Sequence, residues 1–106
     1  MKILIVEDDK AAVEAIKDAM SYTEGMQVVG TTDSATQGLK LVEAVNPHAI
    51  ILDLELNEGD GLNFLKNLST LMLNYKPFVL VTTNTTSKTV HDIVRNNGGD
   101  FIYTKN

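Results

Sequence analysis

Four runs of β-forming residues, each breaking off at a polar or charged residue, constrain this chain more than any other feature. They are KILIVEDD (2–9), AIILDLEL (49–56), FVLVTT (78–83) and DFIYTK (100–105). A continuous apolar run is what a strand buried on both faces requires, as in a parallel sheet. Between these runs apolar residues recur at helical spacing. Val13, Ile16 and Met20 form one stripe that Gly25 ends, and MQVVGTT (26–32) follows as a further strand. Ala35, Leu39, Val42 and Val45 form the next stripe, which stops before Pro47 because a residue preceding proline is driven out of the α region. Ala49 to Asp53 is the third strand. NEGDG (57–61) reads as a loop, and Leu62, Leu65, Leu68 and Met72 as the inner face of a helix. A fourth strand runs from Phe78 to Val81, and Val90, Ile93, Val94 and Asn97 line a helix that Gly98 and Gly99 close before the last strand.

Strands alternating with helices predict an α/β fold: a doubly wound, five-stranded parallel sheet with right-handed crossovers and helices on both faces. Ligands of such sheets sit outside the carboxyl ends of the strands, so residues far apart in sequence converge there. Glu7, Asp8, Asp53, Thr82 and Lys105 then share one cleft. The flavodoxin-like strand order 2-1-3-4-5 fits best, because the acidic end of the first strand must lie beside the end of the third.

A chain of 106 residues is one small domain, able to bury its own core with little to spare. It has no cysteine, which excludes disulfides and thiolate metal sites. A net charge of −5 argues against direct nucleic-acid binding by this domain. No apolar run approaches the ~20 residues of a membrane span, and the first residues lack a signal-peptide layout. The expectation is a soluble cytoplasmic protein.

The acids divide by task. Asp9 stands where a helix begins and reads as its N-cap. Glu7 and Asp8 exceed what a cap needs, and with Asp53 nearby three carboxylates would repel one another unless a cation is bound. Few carboxylates plus water suit Mg²⁺ better than Ca²⁺, with Mn²⁺ as the alternative ion, and no histidine or cysteine is offered to zinc. Asp53 closes an apolar run, an expensive place for an idle carboxylate. As a nucleophile it could attack phosphorus in line and form an acyl phosphate, with the metal and the Lys105 ammonium neutralising the transferring oxygens. The Thr82 hydroxyl can donate to a phosphoryl oxygen.

The ordered set VEDD, ILDL, VTT and YTK resembles that of the receiver domains of two-component response regulators, from end to end of the chain. The resemblance implies a phosphorelay domain that is not itself an enzyme beyond its own phosphorylation and dephosphorylation. Asp53 is by that likeness the phosphoacceptor and Glu7 with Asp8 the acidic pair, Asp8 binding the metal directly and the backbone carbonyl of Glu55 adding a ligand. Thr82 and Lys105 take the family's hydroxyl and lysine roles. A histidine kinase or phosphotransfer protein supplies the phosphoryl group, and an output domain or target protein responds, with a homodimer through the fourth strand, fourth helix and fifth strand as a further expectation. Departures from the family pattern are Asn57 and Asn106 in place of prolines, Ile102 where an aromatic is common, and Thr83 where a small residue is usual. A trans bond is expected before Asn106.

The family's domains ordinarily continue into a fifth helix, so residues 1–106 are expected to be a receiver domain truncated at its C-terminus, with one face of the last strand uncovered. That face carries either Phe101 and Tyr103 or Ile102 and Thr104. His48 and His91 read as surface residues, Met20, Met26 and Met72 as core or near-core fillers, and residues 82–89 as a loop leading to a helix N-cap. Two other function classes share the residues. One is a pseudo-receiver that binds partners without phosphorylation; the other is an aspartate-nucleophile phosphatase, which would want a second aspartate where Glu55 stands.

Overall fold

A computed structural model describes residues 1–56 and 60–105. The elements alternate from end to end: β1 (Lys2–Val6), α1 (Lys10–Ser21), β2 (Gln27–Thr32), α2 (Ala35–Val45), β3 (Ala49–Asp53), α3 (Gly61–Leu68), β4 (Phe78–Thr83), α4 (Lys88–Asn96) and β5 (Phe101–Thr104). All strand pairs are parallel and the order is β2-β1-β3-β4-β5. The sheet therefore has the predicted flavodoxin-like topology, with four helices around it.

Period-two alternation splits the strands between two cores. Leu4, Val6, Ile50, Leu52, Val79 and Val81 face one way and pack with Val42, Phe64, Leu65 and Val94 from α2, α3 and α4. Ile3, Ile5 and Ile51 face the other way, covered by Val13, Ile16 and Met20 of α1. Phe64, fully buried, contributes on the order of 2–3 kcal/mol by leaving water. On β5, Ile102 packs into the larger core, whereas Phe101 and Tyr103 remain 57% and 59% exposed. The open face of the last strand is thus the aromatic one.

Side chains set the helix ends. Asp9 caps α1 by accepting from the N–H groups of Ala11 and Ala12, and Ser34, Asp60 and Ser87 cap the other helices in the same way. Before Pro47, Asn46 closes α2 in the left-handed region at φ 49°, which asparagine tolerates. Two expectations need correction. Helix α1 stops at Ser21, and Gly25, at φ +84°, shapes the turn beyond it rather than the helix end. Met72 lies past α3 and is fully exposed, and Met26 is 38% exposed, so neither fills the core. The Ser69 and Thr70 hydroxyls donate to the carbonyls of Lys66 and Asn67, drawing the chain out of the helix before Met72. The Asn57 and Asn106 positions, with most of the loop expected at 57–61, lie outside the described residues.

Candidate functional site

The register carries the site residues to one edge. Asp53, the last residue of β3, stands opposite Thr82 in β4, and Thr82 opposite Tyr103 in β5. The Lys105 N–H donates to the Thr83 carbonyl at 2.7 Å, which extends the β4–β5 ladder to the lysine. Glu7 leaves β1 on a bond from its N–H to the Thr32 carbonyl at 2.9 Å. Residues 46 positions apart in sequence therefore meet because β1 and β3 are neighbours.

Oxygens of Glu7, Asp8 and Asp53 lie within 4.8 Å of one another. Glu7 is 4% and Asp53 3% exposed, while Asp8 is half-buried. The Lys105 ammonium lies 3.4 Å from Asp53 Oδ1 and 3.9 Å from Glu7 Oε1. Asp53 Oδ1 also accepts from the Glu55 N–H at 3.0 Å, and Glu7 Oε2 from the Asp9 N–H at 3.1 Å. Within this cluster the Lys105 ammonium faces Asp53 and Glu7, two buried acids that it must share. The consequence falls on Glu7. Burial first, then its hydrogen bond and charge contact with Asp53, push its carboxyl up from 4.5 to about 7, against the opposing pull of the Asp9 N–H and Lys105. Burial alone would lower the Lys105 ammonium, but the carboxylates of Asp53, Glu7 and Glu55 together raise it. The cleft thus takes up positive charge, as a proton or as a cation. Three oxygen-bearing acids without nitrogen or sulfur ligands fit a hard divalent ion.

Thr82 completes the cluster in an unusual state: its Oγ1 is buried and has no hydrogen-bond partner among the described residues. It lines a groove of about 440 Å³ with Glu7 and Lys105 at one end and Phe101 and Tyr103 along one wall. Glu55 sends its side chain elsewhere, to the Thr83 hydroxyl and to the Asn84 N–H at 2.7 Å. The sequence gives no sign of that tie, since Thr83 stands out only as a bulky residue in its position. Gly61 is a second residue that sequence reasoning passes over. A Cβ there would meet the Asp53 carbonyl and the Leu54 Cα at 2.6 Å, so only glycine lets α3 start this close behind Asp53. His48, which accepts from the Lys2 N–H at 2.8 Å, and His91, bonded to the Thr85 carbonyl at 2.8 Å, take no part in the cluster.

The sequence matches the family described as the response regulator receiver domain over residues 3–105. The chain belongs to that family and is a receiver domain of the two-component response regulator type. It is 27% identical over 101 residues to the probable C4-dicarboxylate response regulator DctR of Bacillus subtilis, covering 95% of this chain and 44% of that protein. It is 28% identical over 85 residues to protein-glutamate methylesterase/protein-glutamine glutaminase 2 of Saccharophagus degradans, covering 80% of this chain and 24% of that protein. The chain therefore spans less than half of either relative. Among solved structures, the response regulator domain of Thermotoga maritima CheB superposes with a TM-score of 0.88 at 20% identity, covering 99% of this chain and 78% of that one. The response regulatory domain of mrkE from Klebsiella pneumoniae gives 0.84 at 26% identity, covering 99% and 83%. No helix among the described residues is long and apolar enough to cross a membrane.

Proposed function

We propose that this domain accepts a phosphoryl group on Asp53 from a phosphohistidine of a histidine kinase or phosphotransfer protein, and that the resulting acyl phosphate switches its contacts with an output domain or target. The observation that carries the reading is the setting of Asp53: a 3% exposed carboxylate at a strand end, 3.4 Å from an ammonium and clustered with Glu7 and Asp8. An Asp53 oxygen attacks phosphorus in line, the new O–P bond forms as the bond to the donor nitrogen breaks, and the donor leaves with that electron pair. Lys105 neutralises charge on the transferring oxygens, and the buried Thr82 hydroxyl donates to one of them. Glu7, Asp8, Asp53 and the Glu55 backbone carbonyl would hold Mg²⁺ or Mn²⁺. Such an ion, when bound, relieves the carboxylate repulsion and stabilises negative charge on the phosphoryl oxygens.

The setting is cytoplasmic and the domain's own chemistry is confined to its phosphorylation and dephosphorylation. Its net charge of −5 keeps direct nucleic-acid contact out of this domain's role. Incubation with acetyl phosphate and Mg²⁺, followed by intact-protein mass over time, tests the reading. A lasting gain of one phosphoryl group supports it. Continuous phosphate release without a labelled species would indicate an aspartate-nucleophile phosphatase, and no reaction a partner-binding pseudo-receiver.

A further inference from the structure

Among the described residues, Glu55 is an acid beside Asp53 whose side chain turns away from the cluster. Its N–H donates to Asp53 Oδ1 at 3.0 Å, so its main chain reads the state of that carboxylate directly. Its side chain spans to the end of β4 and the loop that follows, where one oxygen accepts from the hydroxyl of Thr83, the last residue of β4, and the other from the Asn84 N–H at 2.7 Å. Thr83 is fully buried, and its Oγ1 accepts in turn from the Thr85 N–H at 3.1 Å. The Thr85 carbonyl is bonded to His91 Nε2, on α4, at 2.8 Å. Hydrogen bonds thereby run through six residues, from Asp53 by way of Glu55, Thr83, Asn84 and Thr85 to His91 on α4.

We propose that Glu55 is a positioning residue that holds the β4–α4 loop, through Thr83 and Asn84, in the unmodified domain, and that a phosphoryl group on Asp53 drives its carboxylate off the loop. The inference rests on Asp53 being the phosphoacceptor. A phosphoryl group brings about two negative charges in place of one, and the added charge repels a neighbouring carboxylate. The main-chain bond from Glu55 to Asp53 Oδ1 ties the two groups too closely for the side chain to ignore the change. The Lys105 ammonium, which already feels the Glu55 carboxylate, is then drawn to the phosphoryl oxygens and no longer offsets it. Released Thr83 and Asn84 free the loop, and α4 follows through Thr85 and His91.

Amide hydrogen exchange at Asn84 and Thr85 tests the proposal, in the unmodified protein and with Mg²⁺ plus beryllofluoride as the phosphoryl mimic. In the parent, both amides should exchange about tenfold faster with the mimic. Thr83→Val keeps the side-chain shape but removes both the donor to Glu55 and the acceptor of the Thr85 N–H, so the Asn84 amide is its readout: exchange there should be about tenfold faster before the mimic is added and should rise less than twofold afterwards. Thr83→Ser should restore parental behaviour, which a purely steric role of the threonine would not produce. Glu55→Ala, at an exposed position, should reproduce the Thr83→Val pattern at Asn84 and stands in for it if the buried substitution impairs folding. Parental exchange in both Thr83→Val and Glu55→Ala, or slower exchange in the parent with the mimic, would overturn the proposal. Absence of acetyl phosphate labelling at Asp53 would instead defeat the phosphoacceptor reading, while exchange in the unmodified variants would still decide whether Glu55 holds the loop.

Discussion

Glu7 bears the electrostatic cost of the cleft. With its carboxyl at about 7 in the folded domain and at 4.5 ordinarily, the folded state keeps a proton that the unfolded chain has released between those values. This group's stabilising contribution is fully present below about pH 4.5 and is lost as pH rises through about 7. Metal-free domain should therefore lose melting temperature between about pH 5 and pH 8, and Glu7→Gln, which cannot ionise, should flatten that part of the profile. Since a divalent ion must displace the same proton, the Mg²⁺-induced rise in melting temperature should be larger at about pH 8 than at about pH 6. Equal rises at both values would show that Glu7 does not titrate with the metal. Asp8→Ala should erase most of the Mg²⁺ response, and a parental response would mean that the ion binds elsewhere.

Elements hold these residues in place at close tolerance. Helix α3 begins against the backbone of Asp53 and Leu54, and a methyl group at Gly61 would have to push both aside. Gly61→Ala should cost on the order of 1–3 kcal/mol by overpacking, read from urea unfolding, and should slow phosphorylation by displacing the nucleophile. An unchanged labelling rate would show that Asp53 keeps its position without this contact. The same scale shows what the sequence disclosed. Strands β3 and β4 were legible because apolar runs between turn residues have few other uses, and the end of α2 because Pro47 forbids continuation. The end of α3 was not, since Leu62, Leu65, Leu68 and Met72 keep helical spacing while two hydroxyls take carbonyls and unwind the chain. At the site, the strand-end places of Glu7, Asp8, Asp53, Thr82 and Lys105 were enough to foresee that they share one edge. The Glu55 bond to Thr83 was not legible, because a contact between the segment after β3 and the last residue of β4 leaves no periodicity in either.

On the scale of the whole molecule, the sheet has one thinly covered face. Phe101 and Tyr103, both more than half exposed, border a groove floored by Ile51 and Leu80 and walled by Ala12, Ala15 and Ala19 of α1. Exposed aromatics on an edge strand adhere to other apolar surfaces. This face predicts pairing of the domain with a second copy. Sedimentation across a concentration series should show self-association; a strictly monomeric protein would contradict it. The sheet exists, on this account, to bring one carboxylate to a place where it can carry a phosphoryl group. The most direct test is to label the domain with acetyl phosphate and Mg²⁺, trap the acyl phosphate by borohydride reduction, and map the reduced residue by peptide mass. Asp53 should be the reduced residue, with none found in Asp53→Asn; trapping at Glu7 or Asp8, or undiminished trapping in the variant, would contradict the account.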